Sequence, residues 1–264
     1  MESQNTNQGK IYLIDHQEKF LYEWCRWEYA QMIKYLSQTP SKVYITNSKL
    51  FEDYKEDDQK DLNEKMLSGL REDIKNTPNK MSFIKDSIND MVEKSTGNIE
   101  IDGKQIPLER VCLLDMKATQ SLSDADGKDF DVFLFGGILG DNPPRDRTSL
   151  IRRPEIKSRQ LGVWQLPTDT ALLMTKLIVE NGVKMEDIPT IDEPEFFKKN
   201  EGGKEGDEES VTLDNFRVIT EEIDPHTGKI TKKENPKALG NPNIYERLVF
   251  EELDFDFDGP LQFN

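Results

Sequence analysis

The residues with the clearest chemical potential follow the apolar run Val132–Phe135. Three glycines lie within the next five residues, and Asp141, two prolines and the charged triplet Arg145–Arg147 come after them. Because glycine has no Cβ and adopts unusual φ angles, such a loop can place backbone N–H and C=O groups directly against a ligand. A tight turn without a ligand is the alternative for any one such loop.

Two further loops have an unusual composition. The first, "LLDMKATQS", begins at Leu113, and the second, "RQLGVWQLPTDTA", begins at Arg159 and contains Gly162. Ligands of open α/β sheets bind beyond the carboxyl ends of strands, so three loops at three strand ends predict one shared cleft. Three unrelated tight turns are a weaker explanation when the loops are considered together.

The sequence lacks the patterns of several other sites. It contains neither a G-x-x-x-x-G-K-[ST] phosphate loop nor G-x-G-x-x-G. His16 and His226 lie far apart, and Cys25 and Cys112 have no metal-ligand spacing. No metal site and no histidine-assisted nucleophile are therefore predicted. The residues alone predict an α/β protein with one cleft lined by backbone groups.

The first part of the chain predicts a βαβ unit. A strand at Lys10–Asp15 precedes an amphipathic helix at Phe20–Ser37 and a second strand at Lys42–Thr46. Charged helical segments follow over residues 51–93, with a break near Pro78. A βαβ opening favours a parallel sheet.

The middle of the chain predicts three more strands and one helix. The strands lie at Arg110–Asp115, Val132–Gly137 and Arg159–Leu166, the last of them interrupted by a glycine. The helix begins with Thr168 as its N-cap and stops before Gly182.

The later part of the chain carries much of the acidic excess. Residues 200–210 are of low complexity and are predicted to be disordered, and residues 216–234 predict a hairpin around "DPHTGK". The net charge of −16 is concentrated in residues 52–75, 186–210 and 251–258. These runs either keep the protein soluble or form a negative field that attracts a basic partner. Neither interpretation provides the basic surface of a nucleic-acid-binding protein.

Composition limits the class of protein further. The 264 residues suffice for one large domain or two small ones. No apolar run reaches about 18 residues and the first ten residues are polar, so neither a membrane span nor a secretory signal is predicted. Two cysteines are too few for a disulfide framework, which predicts a reducing, cytoplasmic location.

The run "FGGILGDNPPRDRT", with "VCLLDMKAT" upstream and "RQLGVWQLPTDTA" downstream, closely resembles the SPOUT-class family of S-adenosylmethionine-dependent protein arginine methyltransferases. The segment "YLIDHQEKFLYEWCRWEYAQMI" is similar to that family's first strand and helix. The known fungal member modifies a small-subunit ribosomal protein. The resemblance covers roughly residues 10–47 and 108–197. The chain departs from it at residues 52–80, near 201–210, in the tail, and at Val163 and Trp164, where more polar residues are expected.

The resemblance implies a parallel sheet flanked by helices, with its C-terminal part threaded as a trefoil knot. It implies a SPOUT methyltransferase domain at residues 10–197, with the knot and the cofactor loops in about 110–182. Residues 198–264 would then be an inserted acidic loop, a hairpin and a C-terminal extension.

The resemblance also implies that the knot loops wrap one bent S-adenosyl-L-methionine, without a metal. Leu139, Leu161 and Leu166 would sandwich its adenine ring. The implied cofactor-binding residues are Leu114, Asp115, Ala118, Thr119, Phe135, Gly136, Gly137, Ile138, Leu139, Gly140, Arg159, Leu161, Gly162, Leu166, Thr168, Asp169 and Ala171.

The implied chemistry requires a carboxylate. Arginine stays cationic up to a pKa above about 12, so a carboxylate must hold the guanidinium, aim one nitrogen and accept its proton. Asp141 is the first candidate and Glu28 the second. Asp146 and Asp169 are further candidates, with loop pinning and helix-start capping as equal alternatives. Arg147 would pin the loop, or pair with Asp146 or the cofactor carboxylate.

The implied function is methyl transfer to an arginine side chain of a basic small-subunit ribosomal protein. The enzyme would be a cytoplasmic monomer that binds neither membranes nor, directly, nucleic acid. One alternative is RNA methylation, the commonest activity of this fold, which the charge balance opposes. The other is a non-catalytic acidic binder of a basic ribosomal protein, which would have no need of the glycine loops.

Replacing Gly140 with Val should abolish S-adenosylmethionine binding, because a side chain would occupy space that the cofactor needs next to the backbone. Isothermal titration calorimetry measures the affinity. Wild-type affinity in this variant would show that the cofactor does not approach the chain at residue 140.

Overall fold

The structure is a computed structural model that describes residues 9–53, 57–137, 146–198 and 209–240. Short 3₁₀ turns join several of the regular elements. In chain order the helices and strands are β1 (Ile11–His16), α1 (Glu23–Leu36), β2 (Lys42–Thr46), α2 (Lys49–Glu52), α3 (Asp57–Asp73), β3 (Met81–Phe83), α4 (Ile88–Lys94), β4 (Asn98–Ile101), β5 (Lys104–Pro107), β6 (Val111–Leu114), α5 (Asp126–Asp129), β7 (Val132–Gly137), β8 (Lys157–Arg159), α6 (Thr168–Val179), β9 (Thr190–Asp192), β10 (Glu195–Lys198), β11 (Glu209–Thr212) and β12 (Arg217–Ile219).

The central sheet confirms the predicted α/β class. Six strands lie in the order β3-β2-β1-β7-β6-β8, and all five pairings are parallel. β1 and β7 end level with each other, because His16 pairs with Gly137. The loops that follow these strands therefore start from one edge of the sheet. The predicted trefoil knot includes residues 138–145, which lie outside the described residues.

Both faces of the sheet are buried, which explains why its strands are almost continuously apolar. Tyr12 and Ile14 point into a core cluster with α1, α3 and α6. Leu13 points into a second cluster with α4 and the β4–β5 hairpin. Strand side chains alternate between faces, so Phe133 and Val132 likewise belong to different clusters.

The predicted boundaries are right for β2 and β7 and wrong for α1. This helix begins at Glu23 rather than Phe20, because Tyr22 is extended (φ −68°, ψ 161°). The N–H of Leu21 donates to Asn63 Oδ1 at 3.0 Å, which holds this extended entry against α3. The prediction also missed β3, a three-residue strand within residues expected to be helical.

The predicted strand at Arg159–Leu166 is wrong beyond its first residue. β8 ends at Arg159, and Gly162 has a φ of +98°, which breaks extended structure. Gln160 leaves the sheet to make backbone hydrogen bonds with Gln120 and Leu122, both of 2.9 Å. Most of this segment is therefore a loop, which can form the wall of a cavity.

The predicted hairpin at residues 216–234 is confirmed only at its tip. Ile223 and Ile230 form an antiparallel bridge around the turn. β12 instead pairs with β9, and β10 pairs with β11. The acidic residues 199–208, which connect β10 to β11 in the sequence, lie outside the described residues.

Among the residues that the structure describes, no helix is both long and apolar enough to cross a membrane.

Candidate active site

A cavity lies beyond the carboxyl ends of β6 and β7, where the three loops were predicted to meet. The end of β6 contributes Leu114, Asp115 and Met116, and the end of β7 contributes Phe135 and Gly136. The remaining lining residues come from the loops around β8 and from the start of α6: Thr148, Leu161, Gly162, Trp164, Gln165, Leu166, Thr168 and Ala171. The loops after β6 and β8 therefore share one cavity with the end of β7, whereas residues 138–145 of the glycine loop lie outside the described residues.

Nine of the predicted cofactor-binding residues line this cavity: Leu114, Asp115, Phe135, Gly136, Leu161, Gly162, Leu166, Thr168 and Ala171. Ala118, Thr119, Arg159 and Asp169 do not line it. Gly137 ends β7 without being part of the lining. Ile138, Leu139, Gly140 and the catalytic candidate Asp141 lie outside the described residues.

The sequence analysis missed four lining residues, Met116, Thr148, Trp164 and Gln165. Three of them, Met116, Trp164 and Gln165, lie in loops that were already predicted to form the cleft, so their position in those loops could have identified them. No feature of residue type marks Thr148.

Arg159 points away from the cavity. Its Nε donates to Asp126 Oδ1 at 2.9 Å, and its guanidinium lies 5.4 Å from the ring centre of Phe130. Only 5% of the Asp126 side chain is exposed, so this carboxylate needs a partner within the protein. Arg159 therefore stabilises the packing around Asp126 and Phe130.

Asp146 joins an ionic network that ties the end of the glycine loop to the end of β6. Arg152 donates to Asp115 at 2.7 and 3.0 Å and to Asp146 at 3.1 and 3.3 Å. Lys117 lies 2.7 Å from Asp146. Hydrogen bonds from Arg152 and Lys117 lower the pKa of the Asp146 carboxyl, so it is ionised at neutral pH. This geometry supports loop pinning for Asp146, with Arg152 as its partner; the side chain of Arg147 lies outside the described part of the chain.

Glu28 lies beneath the start of α6. It is 1% exposed, and its Oε1 accepts the N–H of Thr168 at 3.1 Å. Thr168 was predicted as the N-cap, but the cap position is Pro167, which makes no side-chain bond. Proline has no side-chain acceptor, so the Glu28 side chain from α1 accepts the Thr168 N–H instead.

Asp169 is a second buried carboxyl next to Glu28. Its Oδ1 accepts the N–H of Thr170 at 2.7 Å, and its Oδ2 has no hydrogen-bond partner. Burial raises the pKa of Asp169 to about 7. Burial, and then the charge of Asp169, raise the pKa of Glu28 well above its usual value. Two buried carboxyls this close do not both ionise at neutral pH, so the pair retains a proton.

His16 is fully buried at the end of β1. Its Nδ1 lies 2.7 Å from the Tyr29 hydroxyl and its Nε2 lies 3.2 Å from the Phe20 carbonyl. Burial lowers the pKa of His16 to about 4, so the imidazole is neutral at physiological pH. Its hydrogen bonds brace the turn into α1.

The cavity fits a nucleoside-type cofactor rather than a metal. Gln165 Oε1 is buried in the wall without a hydrogen-bond partner, so it can accept an N–H from a ligand. Leu161 and Leu166 provide apolar surface for a flat ring, and Gly162 turns at a φ that only glycine adopts easily. Within the described residues, no group of three His, Cys, Asp or Glu side chains is arranged to hold a metal ion.

A parallel α/β sheet with a loop-built cavity at the carboxyl ends of its strands is the arrangement of a SPOUT-class methyltransferase. The chain belongs to the SFM1-like family, since residues 11–229 match the family described as "Protein arginine N-methyltransferase SFM1-like". It is 37% identical over 195 residues to "Protein arginine N-methyltransferase SFM1" of Saccharomyces cerevisiae, covering 72% of this chain and 81% of that protein. The predicted family and enzyme class are thereby confirmed.

Solved structures of the yeast relative agree with this assignment. The yeast arginine methyltransferase SFM1 complexed with SAM is 31% identical, with a TM-score of 0.60, over 88% of this chain and 90% of that chain. The complex with SAH is 31% identical, with a TM-score of 0.57, over 84% and 91% of the two chains. The complex with MTA is 27% identical, with a TM-score of 0.55, over 86% and 97%. The cofactor predicted from the sequence, S-adenosylmethionine, is the one that this family binds.

Replacing Arg159 with Met should lower the free energy of unfolding by about 2–4 kcal/mol, because Asp126 would lose its buried partner. Cofactor affinity should stay within about threefold, because Arg159 does not face the cavity. Urea unfolding and calorimetry measure the two quantities. Arg110→Met is the control: it removes a more exposed pair with Asp131 and should cost about 1 kcal/mol or less. A large loss of cofactor affinity in a stable Arg159→Met protein would show that Arg159 binds the cofactor.

Replacing Asp169 with Asn should change how stability depends on pH. A carboxyl with a raised pKa in the folded state stabilises the fold below the pKa of the unfolded state, about 4, and this contribution is lost as pH rises towards about 7. The variant should therefore gain on the order of 2 kcal/mol relative to wild type between about pH 4.5 and pH 8. Urea unfolding across this range is the measurement, with exposed Asp129→Asn as the control. Parallel pH curves for Asp169→Asn and wild type would contradict the proton-sharing pair.

Proposed function

We propose that this protein binds S-adenosylmethionine in the cavity and transfers its methyl group to an arginine side chain of a protein. The observation that carries this proposal is one cavity lined by the ends of β6 and β7, the loop after β8 and the start of α6, in a chain of the SFM1-like family. The relatives with known structures hold SAM, SAH or MTA.

The residues of the cavity suit that cofactor. Leu161 and Leu166 contact the adenine ring, and Gln165 Oε1 accepts a hydrogen bond from a nucleoside N–H. The backbone at Gly136 and Gly162 approaches the ligand closely. The bound cofactor supplies a sulfonium methyl group that a nitrogen nucleophile can attack.

The guanidinium needs a carboxylate that is both free and accessible. Asp169 has an unpartnered oxygen but is 1% exposed and does not line the cavity, and the other described carboxylates near the cavity are already engaged. Asp115 is bound by Arg152 on both oxygens, and Asp146 by Arg152 and Lys117. Glu28 lies beneath α6 and supports its first turn. These contacts support Asp141, of the glycine loop, as the group that orients the guanidinium and accepts its proton.

For the substrate we propose a basic protein of the small ribosomal subunit, methylated by a cytoplasmic monomer. The support is the sequence resemblance and the net charge of −16, which attracts a basic protein and disfavours RNA. RNA methylation and non-catalytic binding are the two alternatives, and one experiment separates all three.

Purified small ribosomal subunits are incubated with methyl-labelled S-adenosylmethionine, and the label in protein and in RNA is counted separately. We expect label in protein arginine, with kcat/KM falling as salt rises, because fields beyond about 10 Å are screened at 0.1 M ionic strength. Label in RNA would establish the RNA alternative, and cofactor binding without transfer would support the non-catalytic binder.

Replacing Asp141 with Asn should lower kcat about 100-fold or more while cofactor affinity stays within about threefold, because the shape is kept and the charge is lost. Asp129→Asn is the matched control on an exposed carboxylate. Full activity of Asp141→Asn would move the role to another carboxylate, with Glu28→Gln tested next.

A further inference from the structure

Two strongly exposed apolar side chains lie at the mouth of the cavity. Val163 is 83% exposed and stands between Gly162 and Trp164, which both line the cavity. Met116 lines the cavity and is 56% exposed. They are the two most exposed large apolar side chains among the described residues. Val163 and Met116 are called here the apolar rim.

The outward position of Val163 is set by the hydrogen bonds around it. The glycine before it has a φ of +98°, and its N–H donates to Gln160 Oε1 at 3.1 Å. Two residues later, Gln165 donates to the Asn215 carbonyl at 3.2 Å and accepts from the Arg217 N–H at 2.9 Å. The loop is therefore tied on both sides of Val163, so this side chain is held in solvent and cannot fold inward.

An exposed Val gains none of the free energy that burial of its apolar surface would give, so a purely structural loop has no need of it at this position. The SPOUT-class resemblance led us to expect more polar residues at Val163 and Trp164. Trp164 is covered by the Arg217 guanidinium, 5.5 Å from its ring centre, and Arg217 in turn pairs with Asp192. Val163 has no such cover, so a partner that binds at the cavity mouth can cover it.

The surroundings of the rim match a basic partner. Glu193 accepts the N–H of Asn215 at 3.3 Å, and Asp214 is the preceding residue in the chain. Glu193 and Asp214 are both exposed. They flank Asn215, whose carbonyl accepts the N–H of Gln165 in the Val163 loop. An apolar rim with carboxylates nearby is complementary to a partner segment in which an apolar residue lies among basic residues.

We propose that the apolar rim binds an apolar side chain of the substrate protein, a few residues from the arginine that is methylated. This inference rests on the proposed function. The arginine must enter the cavity to reach the sulfonium methyl, so the substrate backbone on either side of it crosses the mouth. Covering Val163 and Met116 there stabilises the complex through the hydrophobic effect, while the neighbouring carboxylates attract the basic residues.

The test compares Val163→Thr and Met116→Gln with wild type, using labelled methyl transfer to purified small ribosomal subunits. Val163→Thr keeps the shape and adds a hydroxyl, so KM for the subunits should rise about fivefold. For Val163→Thr, whose side chain does not line the cavity, the kcat and the Kd for S-adenosylmethionine, measured by calorimetry, should stay within about twofold. Val163→Ile should keep the wild-type KM, because it remains apolar.

The controls are Ile230→Thr and Leu62→Gln, which change apolar residues that are each 40% exposed away from the cavity. They should leave KM unchanged. An unchanged KM in Val163→Thr and Met116→Gln would overturn the rim. A matching loss of cofactor affinity would also overturn it, because the rim would then cover the cofactor. Light scattering that shows a wild-type dimer dissociated by Val163→Thr would assign the rim to a second copy of this chain.

Failure of the proposed function gives a different result. In that case the wild-type protein itself transfers no label to protein, and the proposal for the apolar rim is wrong as well. If wild type methylates protein and the rim variants behave like the controls, only the rim proposal is wrong.

Discussion

The contact between the Glu28 carboxylate and the first N–H of α6 connects the two halves of the protein. α1 belongs to the opening βαβ unit, whereas Thr168 and Ala171 at the start of α6 form part of the cavity wall. A helix N-terminus favours negative charge, but burial and Asp169 oppose it, so the pair keeps a proton. A buried polar contact, and not apolar packing alone, therefore holds this wall of the cavity. A substitution on α1 can change the shape of the cavity although α1 does not line it.

The residues on either side of the glycine loop are also held by contacts with other parts of the fold. β7 lies between β1 and β6 with both faces buried, so the chain is rigid up to Gly136. After the glycine loop, Asp146 is tied through Arg152 to Asp115 at the end of β6. The described residues on either side of the glycine loop are therefore both held in place by the sheet and the ionic network.

The loop after β8 has an inner side that lines the cavity and an outer side that faces solvent. Leu161, Leu166 and Gln165 face the interior and suit a nucleoside, whereas Val163 points outward on the same loop. β12 and its flanking residues brace this loop, although they follow the acidic insertion in sequence. A part of the chain that was predicted to be an extension therefore supports the wall of the cavity.

The sequence by itself determined the α/β class, the parallel βαβ opening and the three loops, because apolar periodicity and glycine placement are local properties. It also identified nine of the lining residues through the resemblance. Tertiary structure decided what depends on distant partners. Arg159 turns to Asp126 and not to the cavity, Arg152 reaches both Asp146 and Asp115, and Glu28 caps a helix 140 residues away in sequence. Residue type shows that a charge is present, but only the fold determines which opposite charge or free N–H lies within reach.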